Sequence, residues 1–410
     1  MNQTGRDRNT ILLAAAIFIA FAFFGFSDSA RGPAIPRFQA DFGVTELQIG
    51  LLLTFNTVGY VVACSYTAAL ARKIGMKTCM VGALLLTLAA GVLICFAPNY
   101  YVLMTAFFIL NLGYGTMEIS MGVISATIFT KNTGAMLNLA HFFYGAGAVF
   151  SPMVTTRLMA MRFGGQILGW RYMYLIVFGF ALAPVIPAII GRLKKQDYNK
   201  KKTGYRALLK KPAIWLIMLT VSFSAICEMG TIAWIVNFFE KAWSFPADRA
   251  ALQLTLFFVY FTLARLVLGP AIDKIGYINS IIIMTAFTGV AIFVGVLGGL
   301  TAAPLLAIAG AGIGPVWPTI MAVIAKLFYD EIDLAMTAVT TIMGIIIIPA
   351  NLVLGAIINT ARKIFAGTYG ESGLRLAYSA GYLFVGLCAF GACTFALLLR
   401  KRQKKAGQLV

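Results

Sequence analysis

YVLMTAFFILNLGYGTMEISMGVISATIF, residues 101–129, is an apolar run with one charged side chain, Glu118. As a helix rising 1.5 Å per residue it reaches about 43 Å, beyond the roughly 30 Å of bilayer hydrocarbon. A carboxyl at that depth is expensive, so such residues usually face a water-filled cavity and mark an ion or substrate path. Two further acids, Asp28 and Glu228, fall inside stretches of the same kind, whereas nearly every other acid sits in a loop or at a helix end. That contrast points to a transporter driven by protons.

The composition agrees. Of 410 residues, 60% are hydrophobic and 11% charged, far more apolar surface than a soluble core needs. Apolar blocks fall near 11–32, 47–71, 77–97, 101–129, 134–160, 169–192, 213–239, 248–272, 278–299, 302–327, 334–361 and 373–399. They are continuous runs, not the alternating strands of a porin-like barrel. The expected fold is an all-α integral membrane protein, with twelve transmembrane helices in two six-helix, pseudo-repeated halves. The halves are read as residues 1–192 and 212–399, joined by a cytoplasmic basic linker, 193–211, and followed by a basic tail, 400–410.

The net charge of +19 follows topology, not a nucleic-acid partner. With both termini cytoplasmic, 22 of the 33 basic residues lie in inner segments and 10 in outer ones, the positive-inside bias of a multi-pass bacterial inner-membrane protein. Arg192–Lys211 is the longest polar stretch and reads as a solvated linker with a short amphipathic helix near Tyr205–Leu209. The six cysteines form no CxxC or Cys/His cluster, there is one histidine, and no GxxxxGK[ST] phosphate loop occurs. No enzyme, metal or cofactor is expected. The partners are protons, a small-molecule cargo and the lipid bilayer.

The halves look related at an offset near 200. Ala135–Met136 recurs as Ala335–Met336, Gly113 and Gly115 as Gly312 and Gly314, Gly145 as Gly344, and Gly75 as Gly276. Such duplication is typical of secondary transporters, whose cargo site lies near the midplane between the repeats. The same offset sets Asp28 against Glu228 and Glu118 against Trp317, four equivalent positions around one expected pathway.

GPAIDKIG, Gly269–Gly276, resembles the loop signature of the major facilitator superfamily: glycine, an acid and a base, then glycine. Gly269 is expected to let two helices approach closely, and Asp273, beside Lys274, to pair with a base or cap a helix. The first-half loop AALARKIGMK, Ala68–Lys77, keeps Gly75 but has Arg72 where that signature has its acid. A narrower likeness is to the fucose permease branch, which carries proton-coupled sugar importers. FGFSDSARGPAIPRFQADFG (Phe24–Gly43) is similar to that branch's first helix and MLNLAHFFYGAGAVFSP (Met136–Pro152) to its fifth. GIGPVWPTI (Gly312–Ile320) resembles its tenth, and CEMGTIAWIVNFF (Cys227–Phe239) a seventh helix of bacterial relatives. The branch's first-helix acid falls on Gly32 here, one turn beyond Asp28. Glu118 matches its fourth-helix glutamate. His141 stands where the fifth helix has glutamine and Tyr144 where it has asparagine.

The resemblance implies a monomeric, proton-coupled importer of a monosaccharide. Glu118 and Asp28 are the candidate proton carriers. For Glu118 the competing reading is a permanently protonated or arginine-paired acid, and for Asp28 an ion pair with Arg31 three residues on. Glu228, His141, Asn138, Tyr144, Trp234, Asn237, Asn56 and Trp317 are the candidate cargo-binding set. The neutral amides serve equally as helix glue, and Trp234 equally as an interfacial anchor. Arg265, with the motif-loop residues, is assigned to gating or packing. Pro33, Pro36, Pro315 and Pro318 are expected to break or kink the first and tenth helices. An efflux antiporter for lipophilic drugs or lipids, and a non-transporting receptor or scaffold, remain as alternatives.

Overall fold

The computed structural model describes residues 3–129, 133–192, 205–328, 332–405 and 407, with the side chains at 3–8, 68, 126, 133–138, 205, 332–333, 366–369 and 371 left undescribed. The chain packs as two compact units, Met1–Val44 with Phe55–Lys200, and Thr45–Thr54 with Lys201–Val410. The linker expected at 193–211 lies largely outside the described residues, but Tyr205–Leu209 is a short helix.

Eleven described helices are long and apolar enough to cross a membrane. In the first unit they are Asn9–Phe42, Glu46–Thr67 apart from its first residues to Thr54, Met76–Cys95, Tyr100–Ser125 and Gly169–Ile190. Thr133–Ala160 stands between the last two as a 28-residue helix, the polar fifth block of the sequence. In the second unit they are Pro212–Ala242, Ala247–Val267, Tyr277–Leu297, Leu305–Leu327, Leu334–Phe365 and Ser372–Lys405. The order matches the twelve apolar blocks.

Proline chemistry accounts for the interruptions. The first span is two helices, Gln3–Ser29 and Arg31–Phe42, that meet at Ala30. Pro33 has no N–H to offer the Ser29 carbonyl, so a backbone bond that would bridge Ala30 is missing, and Pro36 removes another donor one turn on. The tenth span breaks likewise between Ile313 and Val316, at Gly314–Pro315. The sixth also divides, between Gly179 and Leu182 ahead of Pro184, which the sequence reading did not anticipate.

The duplication is visible inside each unit. Gly75 (φ 87°, ψ 148°) and Gly276 (φ 91°, ψ 144°) make the same turn, in a region that only glycine enters freely. A Cβ on Gly113 would press on Thr87 and the Ala83 carbonyl, and one on Gly312 would meet Thr288 and the Met284 carbonyl. These partners are again about 200 residues apart.

Candidate functional site

In the first unit, Tyr100–Ile128 crosses Glu46–Ile74 at two glycines. A Cβ on Gly59 would lie 2.5 Å from the Phe108 carbonyl, and one on Gly115 would lie 2.8 Å from both Ala63 Cβ and the Tyr60 carbonyl. This close approach places Glu118, one turn beyond Gly115, against Tyr60. The Tyr60 hydroxyl donates to Glu118 Oε2 at 2.6 Å. No basic side chain pairs with Glu118 among the described residues, which removes the arginine-paired reading.

Asp28 is held at the break of the first span. The helix Gln3–Ser29 lies against Thr133–Ala160 through Gly25 and Gly147: a Cβ on Gly25 would overlap the Tyr144 carbonyl, and one on Gly147 the Ala22 carbonyl. The Tyr144 hydroxyl therefore reaches Asp28 Oδ2 at 3.3 Å. Arg31 Nη2 stands 3.5 Å from Asp28 Oδ1. Asn56 is buried, and its amide is satisfied when its oxygen accepts from Arg31 Nη1 at 2.8 Å and its nitrogen donates to the Phe107 carbonyl at 3.1 Å. Asp28, Asn56 and Tyr144 thus converge around Arg31, and Glu118 lies within electrostatic reach of Asp28. His141 is exposed, its ring 5.2 Å from Phe21. Asn138 falls outside the described side chains.

The second unit gathers a different set. Glu228, half-buried, shares the helix Pro212–Ala242 with Trp234 and Asn237. Trp234 is 1% exposed and packs on Tyr378 at 6.4 Å between ring centroids. Full burial overturns the interfacial-anchor reading, because an anchoring indole must reach the headgroups. The Tyr378 hydroxyl lies 3.2 Å from Asn237 Oδ1 and 3.1 Å from Glu46 Oε1. Glu46 in turn accepts from Arg362 Nη1 at 2.7 and 3.0 Å. Trp317 is half-buried in the first turn of Val316–Leu327.

Glu46 and Arg362 were not singled out from the sequence, although a signal exists. Thr45-Glu46-Leu47-Gln48 is a capping box: Gln48 Oε1 accepts from the Thr45 amide at 2.9 Å, and Thr45 Oγ1 from the Gln48 amide at 3.3 Å. That motif starts the helix at Glu46 and sets a carboxylate in its first turn, where the helix dipole favours negative charge.

The motif loops need one correction. A Cβ on Gly269 would meet open space, so this glycine does not mediate a close helix approach. Asp273 lies near Tyr277, the first residue of Tyr277–Leu297. Lys274 and Arg72 are exposed. Arg265 Nε donates to the Gly314 carbonyl at 2.7 Å, with its guanidinium 4.1 Å from the Phe261 ring centroid, and so ties Ala247–Val267 to the break in the tenth span.

Comparison with known proteins places this arrangement. Among curated relatives, a gentisate transporter of Corynebacterium glutamicum is 22% identical over 68% of this chain and 65% of its own length. The chain covers 57% of the length of each of two other relatives. A bacterial homologue of the human lysosomal transporter Spinster, in an inward-facing and unoccupied conformation, superposes with a TM-score of 0.77 at 13% identity, covering 98% of this chain and 99% of that one. The Escherichia coli fucose:proton symporter superposes with a TM-score of 0.63 at 16% identity, covering 95% and 99%. At these identities the structures share the fold alone. The family profile described as Major Facilitator Superfamily matches residues 17–351, and the chain belongs to that superfamily.

Proposed function

We propose that the chain is a proton-coupled importer of a small polar solute, working by alternating access as a monomer with both termini cytoplasmic. The observation that carries this reading is the Tyr60–Glu118 contact. A carboxyl paired with arginine is frozen as an anion, whereas one served by a single neutral phenol can exist in either protonation state. Its span-interior position makes the charged state costly unless water or cargo attends it, which is the property a coupling site requires. The repeat supports a division of labour. Where the first half has Tyr60 and Glu118, the offset brings Phe261 and Trp317 in the second, so this phenol–carboxyl pair occupies one half only.

A monosaccharide is the first cargo class to test. Support comes from the helix motifs that resemble the fucose permease branch and from Glu228, a carboxyl on Pro212–Ala242 of a kind suited to hydroxyl groups. The test is transport in proteoliposomes with Glu118→Gln. Accumulation driven by a pH gradient should fall to background while cargo exchange at equal pH continues. Accumulation at the wild-type level would refute the coupling role.

A further inference from the structure

We propose that Arg31 is the seat for an anionic group of the cargo, a carboxylate, with Asp28 as the resident counter-ion it replaces. This rests on the transport reading and narrows the cargo from a polar solute to a small acid. A guanidinium presents five N–H donors in a planar fork that matches a carboxylate through two parallel bonds. Asn56 uses one edge of that fork at 2.8 Å, and the Phe107 carbonyl fixes Asn56 in turn. The other edge, Nε with Nη2, is nearly vacant. Nε is buried and meets no acceptor among the described residues. Among the described residues Nη2 faces Asp28, at 3.5 Å. Charge-assisted bonds of this type close to about 2.7–2.9 Å.

An arginine with a purely structural role fills its buried donors, because leaving them empty is costly. Here the fork is oriented by a neutral amide on one side and lacks a well-placed acceptor on the other. Asp28 does not fit that edge. It reaches one nitrogen with one oxygen, and its second oxygen is engaged by Tyr144 at 3.3 Å, also a long contact.

Charge balance then couples the acid to a proton. The pair is neutral overall, and an arriving carboxylate adds a negative charge in a setting that resists it. Protonation of Asp28 removes that excess and frees Arg31 at once. The other titratable groups around the pair are Tyr144 from Thr133–Ala160, Tyr114 from Tyr100–Ile128 and Tyr174 from Gly169–Gly179, with Glu118 in electrostatic reach of Asp28. Neutral phenols supply no competing cation, so Arg31 is the anion's partner.

The test is ligand binding to the purified full-length protein, read as a thermal-stability shift across matched pairs. The pairs are D-glucuronate with D-glucose, D-gluconate with D-sorbitol, and benzoate with benzamide. The expected result is that the acid of at least one pair binds and its neutral partner does not, with affinity falling as pH rises. Binding confined to the first two pairs identifies a sugar acid; binding confined to the third identifies an aromatic acid. Arg31→Gln should weaken the acid by about 30-fold or more, Arg31→Lys should restore part of it, and Asp28→Asn should bind the acid with a flattened pH dependence. If Arg31→Gln does not fold, Asp28→Asn decides alone. Equal binding of neutral partners, no binding by any acid, or an unchanged pH dependence in Asp28→Asn overturns the proposal. Counterflow by Glu118→Gln addresses coupling separately, so the two readings fail in different experiments.

Discussion

Two arginine–carboxylate pairs among the described residues are built differently. In the second unit, Glu46 is 1% exposed, receives Arg362 at 2.7 and 3.0 Å, and has the Tyr378 hydroxyl at 3.1 Å. In the first, Asp28 faces Arg31 at 3.5 Å and Tyr144 at 3.3 Å, while Arg31 Nε has no partner among the described residues. The charges are the same; the satisfaction is not. A buried ion pair repays its desolvation only when geometry is good and further hydrogen bonds serve the remaining lone pairs. Glu46 meets that condition and reads as structure. The Asp28–Arg31 pair does not, and its vacancies are of the kind a ligand fills.

Perturbing each pair separates them by size of effect. Arg362→Gln strands a buried carboxylate and should destabilise the protein by about 3 kcal/mol, the low end for breaking a buried pair because Arg362 is half in solvent. Thermal unfolding in detergent, run beside Asp28→Asn, measures it. Gly115→Ala drives a methyl against Ala63 and the Tyr60 carbonyl and should cost about 1–3 kcal/mol. It should also part Tyr60 from Glu118, so coupled uptake falls further than stability alone explains. Tyr378→Phe removes the hydroxyl that joins Glu46 to Asn237, worth about 1 kcal/mol. Asp28→Asn should cost about 1 kcal/mol or less, well below Arg362→Gln, since a contact at 3.5 Å is too long to repay much of the pair's desolvation. A large loss there would make the two pairs alike and break the contrast.

Much of the architecture was legible because membrane solvation writes it into composition: apolar runs give the spans, and basic loops give the expected orientation. Gly75 and Gly276 were readable as a duplicated pair because a turn at positive φ excludes other residues. The three span acids stood out for the same energetic reason. What stayed hidden was pairing at long range. Tyr60 and Glu118 are 58 residues apart and Glu46 and Arg362 are 316, and no local spacing announces either contact. Arg31 illustrates the gap best. The sequence offers Asp28 as its partner at i, i+3, but the better bond goes to Asn56 on another helix. Gly269 shows the reverse error, a motif glycine taken for a close contact that the fold does not make.

Infrared difference spectroscopy on the purified protein, following the carboxylic acid C=O stretch as pH and candidate cargo are varied, tests the central claim most directly. The account predicts a band from a protonated carboxyl that rises and falls with pH and cargo and is missing in Glu118→Gln. A spectrum with no such band, or with one that ignores both variables, would contradict it.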